Sequence, residues 1–281
     1  MSNPLSSAIE QGWTSKLPEE DGIIQYFDSL DREISYPKDV YEQYNLETDS
    51  GYWVMHRSRE ILRELEELDL DELVEVGAGT GSVCGFLAQN GIDVVAIEPL
   101  KAGAATIQNK GVQTICARLE TVNFPKGSIK AYGAFDVLEH IEDPSQLLDE
   151  MYRTLEPGGY LFVTVPCGQW LWGHMDESLG HFRRYSKKSI REAVGNSGFT
   201  LISSKFLFLI LVVPALLLRA IPFRLGIQDS EQKILETVKN EQSSNAFVNR
   251  IMRLLLSIES FTSRVIPLPY GLSVFVIAQK R

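Results

Sequence analysis

Three glycines at alternate positions stand between an apolar run and a segment with helical spacing. Gly77, Gly79 and Gly81 follow "LVEV" and lead into "SVCGFLAQNG". Without side chains, such a turn lets a ligand reach the backbone and the amide groups at the start of the helix. Glu98 ends the next apolar run, 21 residues beyond Gly77, where a carboxylate can accept hydrogen bonds from both hydroxyls of a ribose. The stretch therefore predicts a site for a nucleoside-containing ligand.

The turn differs from the dinucleotide-binding pattern at one position. That pattern, GxGxxG, would place glycine at 82, where this chain has Ser82. An oxidoreductase that uses a nicotinamide dinucleotide stays an alternative, although no second glycine turn follows residue 120. Glu75 lies inside the apolar strand before the turn, and a buried carboxylate needs hydrogen-bond donors. The amides of the turn and an ammonium group of the ligand are suitable donors.

A second group of polar and aromatic residues lies in "WLWGHMDESLGHFRRYS", residues 170–186. His181, His174 and Asp176 are the candidates for a general base, with His181 preferred, because a base must come within hydrogen-bond reach of the proton it takes. Trp172 offers a flat face to a sugar or ring, and the adjacent Arg183 and Arg184 suit a phosphate or carboxylate. We expect this segment to contact the substrate; the alternative is a loop held together by its own salt bridges.

The pattern of the chain predicts how these residues are positioned. From residue 73, short apolar runs alternate with segments of helical spacing, which indicates a parallel sheet covered by helices on both faces. The expected strands are "LVEVGA", "DVVAIEP", "VQTICA", "IKAYGAFD", "YLFVTVP", "FTLISSKF" and finally "GLSVFVIAQKR". Segment 170–186 follows the fifth strand, so it lies at the carboxyl edge of the sheet, where open α/β sheets bind ligands.

Four motifs resemble those of a known family. "VEVGAGTG", "AIEP", "AFDVLEHIEDP" and "LEPGGYLFVTVP" are similar, in this order, to the motifs of class I S-adenosylmethionine-dependent methyltransferases of the type 11/12 group. The resemblance covers roughly residues 50–205. Residues 170–186 are similar to a subset from bacterial polysaccharide and lipid-linked glycan pathways. The resemblance implies S-adenosyl-L-methionine as cofactor and a Rossmann-like, doubly wound, seven-stranded α/β sheet whose last strand is antiparallel.

The resemblance also implies roles for single residues. Glu75 and the turn would line the methionine half of the cofactor, Glu98 would hold its ribose, and Asp136 would face its amino group or the transferred methyl group. Family members often have an acidic residue near position 118 for the adenine amine, whereas this chain has Arg118, so backbone groups or Glu120 would contact adenine. The expected cofactor residues are Glu75, Gly77, Ala78, Gly79, Gly81, Glu98, Pro99, Asp136, Val137 and Arg57. The expected substrate residues are Trp172, Arg183, Arg184, Tyr185 and His140.

Two of these assignments have plain structural alternatives. Arg57 stands one helical turn after Trp53, so it can pair with a cofactor carboxylate or lie exposed on an amphipathic helix. His140 can contact the cofactor or substrate, or satisfy a local hydrogen bond. A non-catalytic scaffold that binds the cofactor or a membrane is a further alternative for the whole chain.

Methyl transfer from a sulfonium is an in-line displacement, for which a protein chiefly supplies alignment and desolvation. A hydroxyl acceptor must also lose its proton, so a base helps. No metal-binding motif is found, and no metal is expected. The sequence thus predicts O-methylation of a small-molecule, glycan or lipid-linked acceptor.

Composition limits the partners and the compartment. The net charge of −10 disfavours nucleic acid as a partner. Cys84, Cys116 and Cys167 form no CxxC pair, which is typical of a reducing cytoplasm. The N-terminus has no basic region followed by an apolar block, so no secretory signal is expected.

Three regions are expected along the chain. Residues 1–50, with Trp13, Tyr26, Phe27, Tyr36, Tyr41 and Tyr44, would form a partly helical cap outside the core. Residues 51–205 and 268–281 would form the cofactor-binding domain. Residues 206–267 would be a helical insertion that serves as a lid, a homodimer surface or a membrane-facing element. Its apolar run, 206–218, has 13 residues, too few for the roughly 20 that cross a bilayer, and favours a buried or interfacial helix.

Overall fold

The computed structural model describes residues 19–20, 23–25, 49, 51–227 and 246–281. The six aromatic residues expected in an N-terminal cap lie outside the described residues. Within the described residues, nine strands form one mixed sheet in the order β1-β2-β5-β4-β3-β6-β7-β9-β8. The strands are β1 (Glu19–Glu20), β2 (Ile23–Gln25), β3 (Glu72–Val76), β4 (Asp93–Ile97), β5 (Gln113–Cys116), β6 (Ile129–Phe135), β7 (Leu155–Pro166), β8 (Thr200–Leu207) and β9 (Ser273–Gln279).

Helices connect the strands and cover the sheet. The helices of the cofactor-binding region are α1 (Tyr52–Glu67), α2 (Ser82–Gln89), α3 (Lys101–Asn109), α4 (Leu119–Val122), α5 (Ser145–Thr154), α6 (His174–Ser178) and α7 (Lys187–Asn196). The insertion contains α8 (Val212–Ala215), a π-helical segment (Leu216–Ala220), α9 (Ile221–Arg224) and α10 (Ala246–Ser263). Single 3₁₀ turns occur at Leu138–His140, Gln169–Leu171 and Leu209–Leu211.

The seven strands β3 to β9 confirm the predicted sheet. β3 pairs in parallel with β4 and β6, and β9 runs antiparallel to both β7 and β8. The chain moves outward from β3 through β4 to β5 and then returns to β6 on the other side of β3. Strand order therefore reverses between β3 and β6, and ligands of open α/β sheets bind in the crevice at such a point.

Two apolar layers hold the sheet between its helices. Successive strand residues point to opposite faces, so Val95 and Ile97 of β4 join one layer, while Val94 and Ala96 join the other. The first layer packs under α4, α5 and α7, and the second packs under α1, α2, α3 and α10. All these strand residues are buried. The sheet is consequently a rigid base for the loops at its carboxyl edge.

Single residues mark the start of α7 and the end of α5. Ser186 caps α7, because its hydroxyl accepts a hydrogen bond from the Ser189 amide at 2.9 Å. Helix α5 ends at Thr154, and Leu155 begins β7 directly after it. Leu155 is still buried in the same layer.

Two regions depart further from the sequence prediction. A partly helical cap outside the core was expected for residues 1–50; of the few residues described there, those of β1 and β2 extend the sheet, with β2 parallel to β5. A buried or interfacial helix was expected for the apolar run 206–218, but the run is not a single helix: it begins in β8 and continues into short helical turns. Val213 and Leu218 of this run are 60% and 71% exposed. An apolar run in the sequence therefore does not show whether the segment is buried or what covers it.

No helix among the described residues has the length and apolar character needed to span a membrane.

Candidate active site

A cavity of about 820 Å³ lies at the carboxyl edge of the sheet. It is lined by the glycine turn, by the ends of β3, β4 and β6, by the segment that follows β7 and by part of the insertion. This volume is within the usual range for sites of small molecules and cofactors. The structure thus brings the two groups of residues singled out by the sequence into one cavity.

The glycine turn has the backbone that the spacing predicts. Gly77, Gly79 and Gly81 have φ angles of 69°, 59° and 76°, in the left-handed region that glycine adopts without strain. A Cβ atom on Gly77 would stand 2.7 Å from a methyl group of Val137, whereas one on Gly79 would meet no atom within 4 Å. The backbone at Gly79 is therefore open to close approach by a ligand. A Cβ on Gly81 would stand 2.8 Å from Ile107, so Gly81 serves helix packing.

Glu98 connects the end of β4 to the glycine turn. Its Oε2 accepts a hydrogen bond from the Gly79 amide and its Oε1 one from the Leu100 amide, both at 2.8 Å. Burial raises the pKa of Glu98 to about 7, and the two amide hydrogen bonds oppose this rise. Because a carboxylate oxygen accepts more than one hydrogen bond, both oxygens retain capacity for hydroxyl donors.

Glu75 is a buried carboxyl group that lacks part of its hydrogen bonding. It is 3% exposed, and its Oε2 has no hydrogen-bond partner. Burial raises its pKa to about 8; the charge of Arg57 lowers the pKa, that of Glu98 raises it, and a hydrogen bond from the Cys84 amide lowers it. An ammonium group beside Oε2 would supply both the missing donor and a compensating charge.

Arg57 and Asp136 form an ion pair across the cavity wall. Asp136 also accepts a hydrogen bond from the Thr164 hydroxyl at 3.0 Å, and its φ angle of 57° places it in the left-handed region at the end of β6. The buried Nε of Arg57 has no hydrogen-bond partner. Arg57 is therefore held in place by Asp136 and keeps one donor available to a carboxylate.

Asp176 organises the opposite side of the cavity. Its Oδ1 accepts hydrogen bonds from His181 Nδ1 at 2.8 Å and Arg184 Nε at 2.7 Å, and its Oδ2 accepts one from the Gly173 amide at 3.0 Å. Burial alone would raise the pKa of Asp176, but the hydrogen bond from His181 and the charge of Arg184 hold it below the usual value. With Nδ1 as the donor to Asp176, the lone pair of His181 lies on Nε2.

Glu139 and His140 lie next to His181. The rings of His140 and His181 meet edge to face, with centroids 4.7 Å apart. Burial raises the pKa of Glu139 well above its usual value, and burial together with the nearby His181 lowers that of His140 to about 3. We call Glu139, His140 and His181 the Glu–His cluster. Their ligand-type atoms all lie within 4.8 Å of one another, so the arrangement has the geometry to hold a cation.

Comparison with known proteins identifies the family. The model of a family described as "Methyltransferase domain" matches residues 53–204, more than half of the 281 residues. The chain belongs to this methyltransferase domain family. S-adenosylmethionine is accordingly its cofactor.

Relatives and solved structures agree with this assignment. The chain is 28% identical over 128 residues to an uncharacterised methyltransferase of Mycobacterium tuberculosis, covering 45% of this chain and 47% of that protein. It is 29% identical over 134 residues to a ubiquinone biosynthesis O-methyltransferase of Xylella fastidiosa, covering 41% and 54%. The chain thus spans about half the length of these curated relatives.

Two solved structures show the same fold. An S-adenosylmethionine-dependent methyltransferase from Thermotoga maritima aligns with a TM-score of 0.55 at 18% identity, covering 87% of this chain and 96% of that one. A [4+2]-cyclase aligns with a TM-score of 0.51 at 18% identity, covering 80% of each chain. Since one of the two is named for a different reaction, the fold alone does not fix the chemistry.

The cavity fits the cofactor of the family. Glu75 offers an unpartnered acceptor for the ammonium group, Gly79 leaves room for a ligand against the backbone, and Glu98 has capacity for ribose hydroxyls. Arg118 and Glu120 both line the cavity near the end of β5. The cofactor residues expected from the sequence that line the cavity are Glu75, Gly77, Ala78, Gly79, Glu98, Pro99, Asp136, Val137 and Arg57. Gly81 does not line it, and the binding roles of the others stay predictions.

The expected substrate and catalytic residues divide into two sets. Asp176, His181, Arg184 and His140 line the cavity, whereas His174, Trp172, Arg183 and Tyr185 do not. Nε2 of His174 lies 3.1 Å from the Ile227 carbonyl oxygen, and Arg183 donates a hydrogen bond to the Glu142 carbonyl. The Tyr185 hydroxyl is buried and donates to the Leu138 carbonyl at 3.1 Å. His174, Arg183 and Tyr185 are thus held by contacts within the chain, and their catalytic or substrate roles stay predictions.

Glu139 and Arg219 are charged residues of the cavity wall that the sequence did not indicate. Glu139 is adjacent to His140 in "LEH", and an acidic residue inside an apolar turn is a signal that could have identified it. Arg219 comes from the insertion, 35 residues after Arg184. Burial lowers the pKa of Arg219, and the charge of Arg184 nearby lowers it further. No local pattern points to Arg219, because tertiary packing alone brings it to the cavity.

Proposed function

We propose that the chain transfers the methyl group of S-adenosylmethionine to a hydroxyl oxygen of a small-molecule, glycan or lipid-linked acceptor, and that His181 is the general base. The observation that carries this proposal is the Asp176–His181 pair, which lies in the same cavity as the glycine turn and Glu98. A carboxylate bonded to Nδ1 orients the imidazole, so that Nε2 can take a proton.

The cofactor residues align one reactant and leave the other side of the cavity for the acceptor. Bound S-adenosylmethionine supplies an electrophilic methyl group. Glu75 and Glu98 are proposed to hold the ammonium group and the ribose, and Arg57 the carboxylate through Nε. His181 Nε2 accepts the proton of the acceptor hydroxyl, and Asp176 stabilises the resulting imidazolium. Asp176 and Arg184 are positioning residues in this scheme.

Relatives narrow the acceptor without fixing it. The Xylella fastidiosa relative is named for O-methylation in ubiquinone biosynthesis, which supports oxygen as the methylated atom. Arg184 and Arg219 in the cavity wall favour an acceptor that carries a phosphate or carboxylate. Nucleotide sugars and polyprenyl-linked glycans are the acceptors to test first.

Substitution of His181 tests the proposal. We expect His181→Ala to lower the turnover of an accepted substrate by about 10²- to 10⁴-fold and to leave the affinity for S-adenosylhomocysteine, measured by calorimetry, within about twofold. His174→Ala is the matched control, because His174 lies outside the cavity wall, and it should keep full turnover. Full turnover by the His181→Ala variant would show that His181 is not the general base. Tight binding of NADH without a response to S-adenosylhomocysteine would favour the oxidoreductase alternative.

A further inference from the structure

Helix α10 is oriented with its apolar stripe outward. Ile251, Leu254, Ile258 and Phe261 are 41%, 63%, 52% and 70% exposed. Their spacing of three or four residues places them on one side of the helix, the side that an ordinary surface helix turns toward the core. Phe247, Val248 and Leu255, and Val265 and Ile266 just beyond the helix, are also exposed. An apolar face of this length exposed to water marks an interaction surface.

Polar residues of the same helix face the protein, alongside the buried Leu256. The Asn249 side-chain oxygen accepts a hydrogen bond from the Tyr52 amide at 2.9 Å. The Ser260 hydroxyl accepts one from Arg63 at 3.0 Å and donates one to Glu60. These contacts run from the first turn of α10 to its last, so they fix the rotation of the whole helix about its axis.

Glu259 makes two further inward contacts. It is buried, and its two carboxylate oxygens accept hydrogen bonds from the Phe208 amide at 2.7 Å and the Ile210 amide at 3.1 Å. A helix turned the other way would leave this carboxylate without its donors and place it on the outside. The outward orientation of the apolar stripe is therefore fixed by the packing of α10 on the rest of the fold.

The helical segment before α10 also exposes apolar side chains. Val213, Leu217, Leu218, Ile221 and Leu225 are all exposed. The same segment reaches the cavity, because Ala215 and Arg219 line its wall. One short segment thus joins the exposed apolar side chains to the acceptor side of the cavity.

The charge of these two segments is opposite to that of the whole chain. Residues 206–227 and 246–267 contain five arginines, 219, 224, 250, 253 and 264, and a single acidic residue, Glu259. Glu259 is buried against backbone amides, so the outer charge of the segments is positive in a chain whose net charge is −10. Apolar side chains flanked by arginines are typical of segments that lie in the interface of an anionic bilayer.

We propose that this apolar surface, formed by the exposed apolar residues of 213–225 and 247–266, binds an anionic phospholipid bilayer, and that the acceptor is lipid-linked. The acceptor part rests on the proposed function, whereas bilayer binding does not. A second copy of the chain suits the surface less well, because a twofold dimer would bring the same arginines together. Anionic headgroups would instead lie beside Arg224, Arg250 and Arg264, which are all exposed.

Vesicle flotation of the full chain tests bilayer binding. We expect the wild-type chain to float with vesicles of phosphatidylcholine containing about 30% phosphatidylglycerol at least tenfold more strongly than with phosphatidylcholine alone. The double variant Leu254→Ser/Phe261→Ser should lose flotation by about tenfold or more. Ile202→Ser is the matched control, because Ile202 is an equally apolar exposed residue, 47% exposed, on β8.

Two further measurements make the outcomes distinct. Arg250→Glu/Arg264→Glu should abolish the preference for anionic vesicles, and S-adenosylhomocysteine should bind every variant with unchanged affinity. No flotation of the wild-type chain, or a dimer in light scattering that Leu254→Ser/Phe261→Ser converts to monomer, would overturn bilayer binding while leaving the proposed function intact. Methylation of soluble nucleotide sugars in preference to lipid-linked glycans would overturn the acceptor class alone.

Discussion

The raised pKa of Glu75 predicts that cofactor binding depends on pH. In the free protein burial holds this pKa at about 8 and that of Glu98 at about 7. An ammonium group at Glu75 and hydroxyl donors at Glu98 favour the ionised carboxylates, so binding must release the protons that these groups carry. The affinity for S-adenosylhomocysteine therefore falls as the pH drops below these pKa values.

The size of the effect follows from the two pKa values. Between about pH 6 and pH 8, the ionised fraction of a carboxyl group with a pKa of about 8 rises by about 50-fold, and that of a group with a pKa of about 7 by about tenfold. If both carboxylates must be ionised in the complex, the Kd of the wild-type methyltransferase falls by about 500-fold over this range. Glu75→Gln should keep only the change of about tenfold that Glu98 causes.

Isothermal titration calorimetry with S-adenosylhomocysteine measures both the Kd and the protons released. Repeating the titration in buffers of different ionisation enthalpy gives the proton count, which should approach one or more near pH 7 in the wild type and fall in Glu75→Gln. Glu72→Gln is the matched control, because Glu72 lies on the same strand but outside the cavity wall. A wild-type Kd that is constant from pH 6 to 8, or an undiminished slope in Glu75→Gln, would refute the assignment of Glu75 to the cofactor ammonium group.

Three further predictions concern the turn, the core and the Glu–His cluster. Gly77→Ala should lower the free energy of unfolding by about 1–3 kcal/mol in urea titrations and weaken the binding of S-adenosylhomocysteine, because φ of Gly77 is positive and the new Cβ would meet Val137. Unchanged stability and affinity would show that the turn can relax around the new side chain. Burial raises the pKa of Glu60, but Lys205 at 2.8 Å lowers it to about 2, so Glu60→Gln should cost about 3 kcal/mol at neutral pH. Since this folded-state pKa lies below the usual value, the stabilisation by ionised Glu60 is present above about pH 4.5 and fades as the pH falls toward 2. Variant and wild type that unfold in acid at the same pH, with the same difference in stability at every pH, would contradict this prediction. Dialysis against EDTA should leave turnover unchanged, because the sequence indicates no metal; a loss that a divalent cation restores would show that a cation is needed, with the Glu–His cluster as its candidate site.

The cofactor side of the cavity could be predicted from the sequence because its parts are local. The turn from Gly77 to Gly81 is formed by consecutive residues, and its left-handed backbone requires the glycines that mark it. Glu98 lies at the end of the next strand, so the alternation of strands and helices is enough to place it beside the turn. Parallel neighbours in a sheet bring their carboxyl ends together, and β3 and β4 are such neighbours.

The short N-terminal strands and the Arg57–Asp136 pair could not be predicted in the same way. β1 and β2 have two and three residues, too few for a period of two to be recognised. Arg57 and Asp136 are 79 residues apart, and each was assigned separately to the cofactor. Their pairing depends on how α1 packs over the end of β6, which no spacing within either segment records.

The acceptor side of the cavity shows why fold and cofactor do not determine the substrate. His181 follows β7, Glu139 follows β6, and Arg219 comes from an insertion placed before the last strand, so three separate connections meet on the side of the cavity proposed for the acceptor. Each connection can change without disturbing the sheet, which is held by its two apolar layers. In this methyltransferase, the connection that contributes Arg219 also carries the outward apolar side chains. A change in that segment would therefore alter the cavity wall and the exposed apolar surface together. We expect the choice of acceptor and the binding of this surface to a bilayer to change together for the same reason.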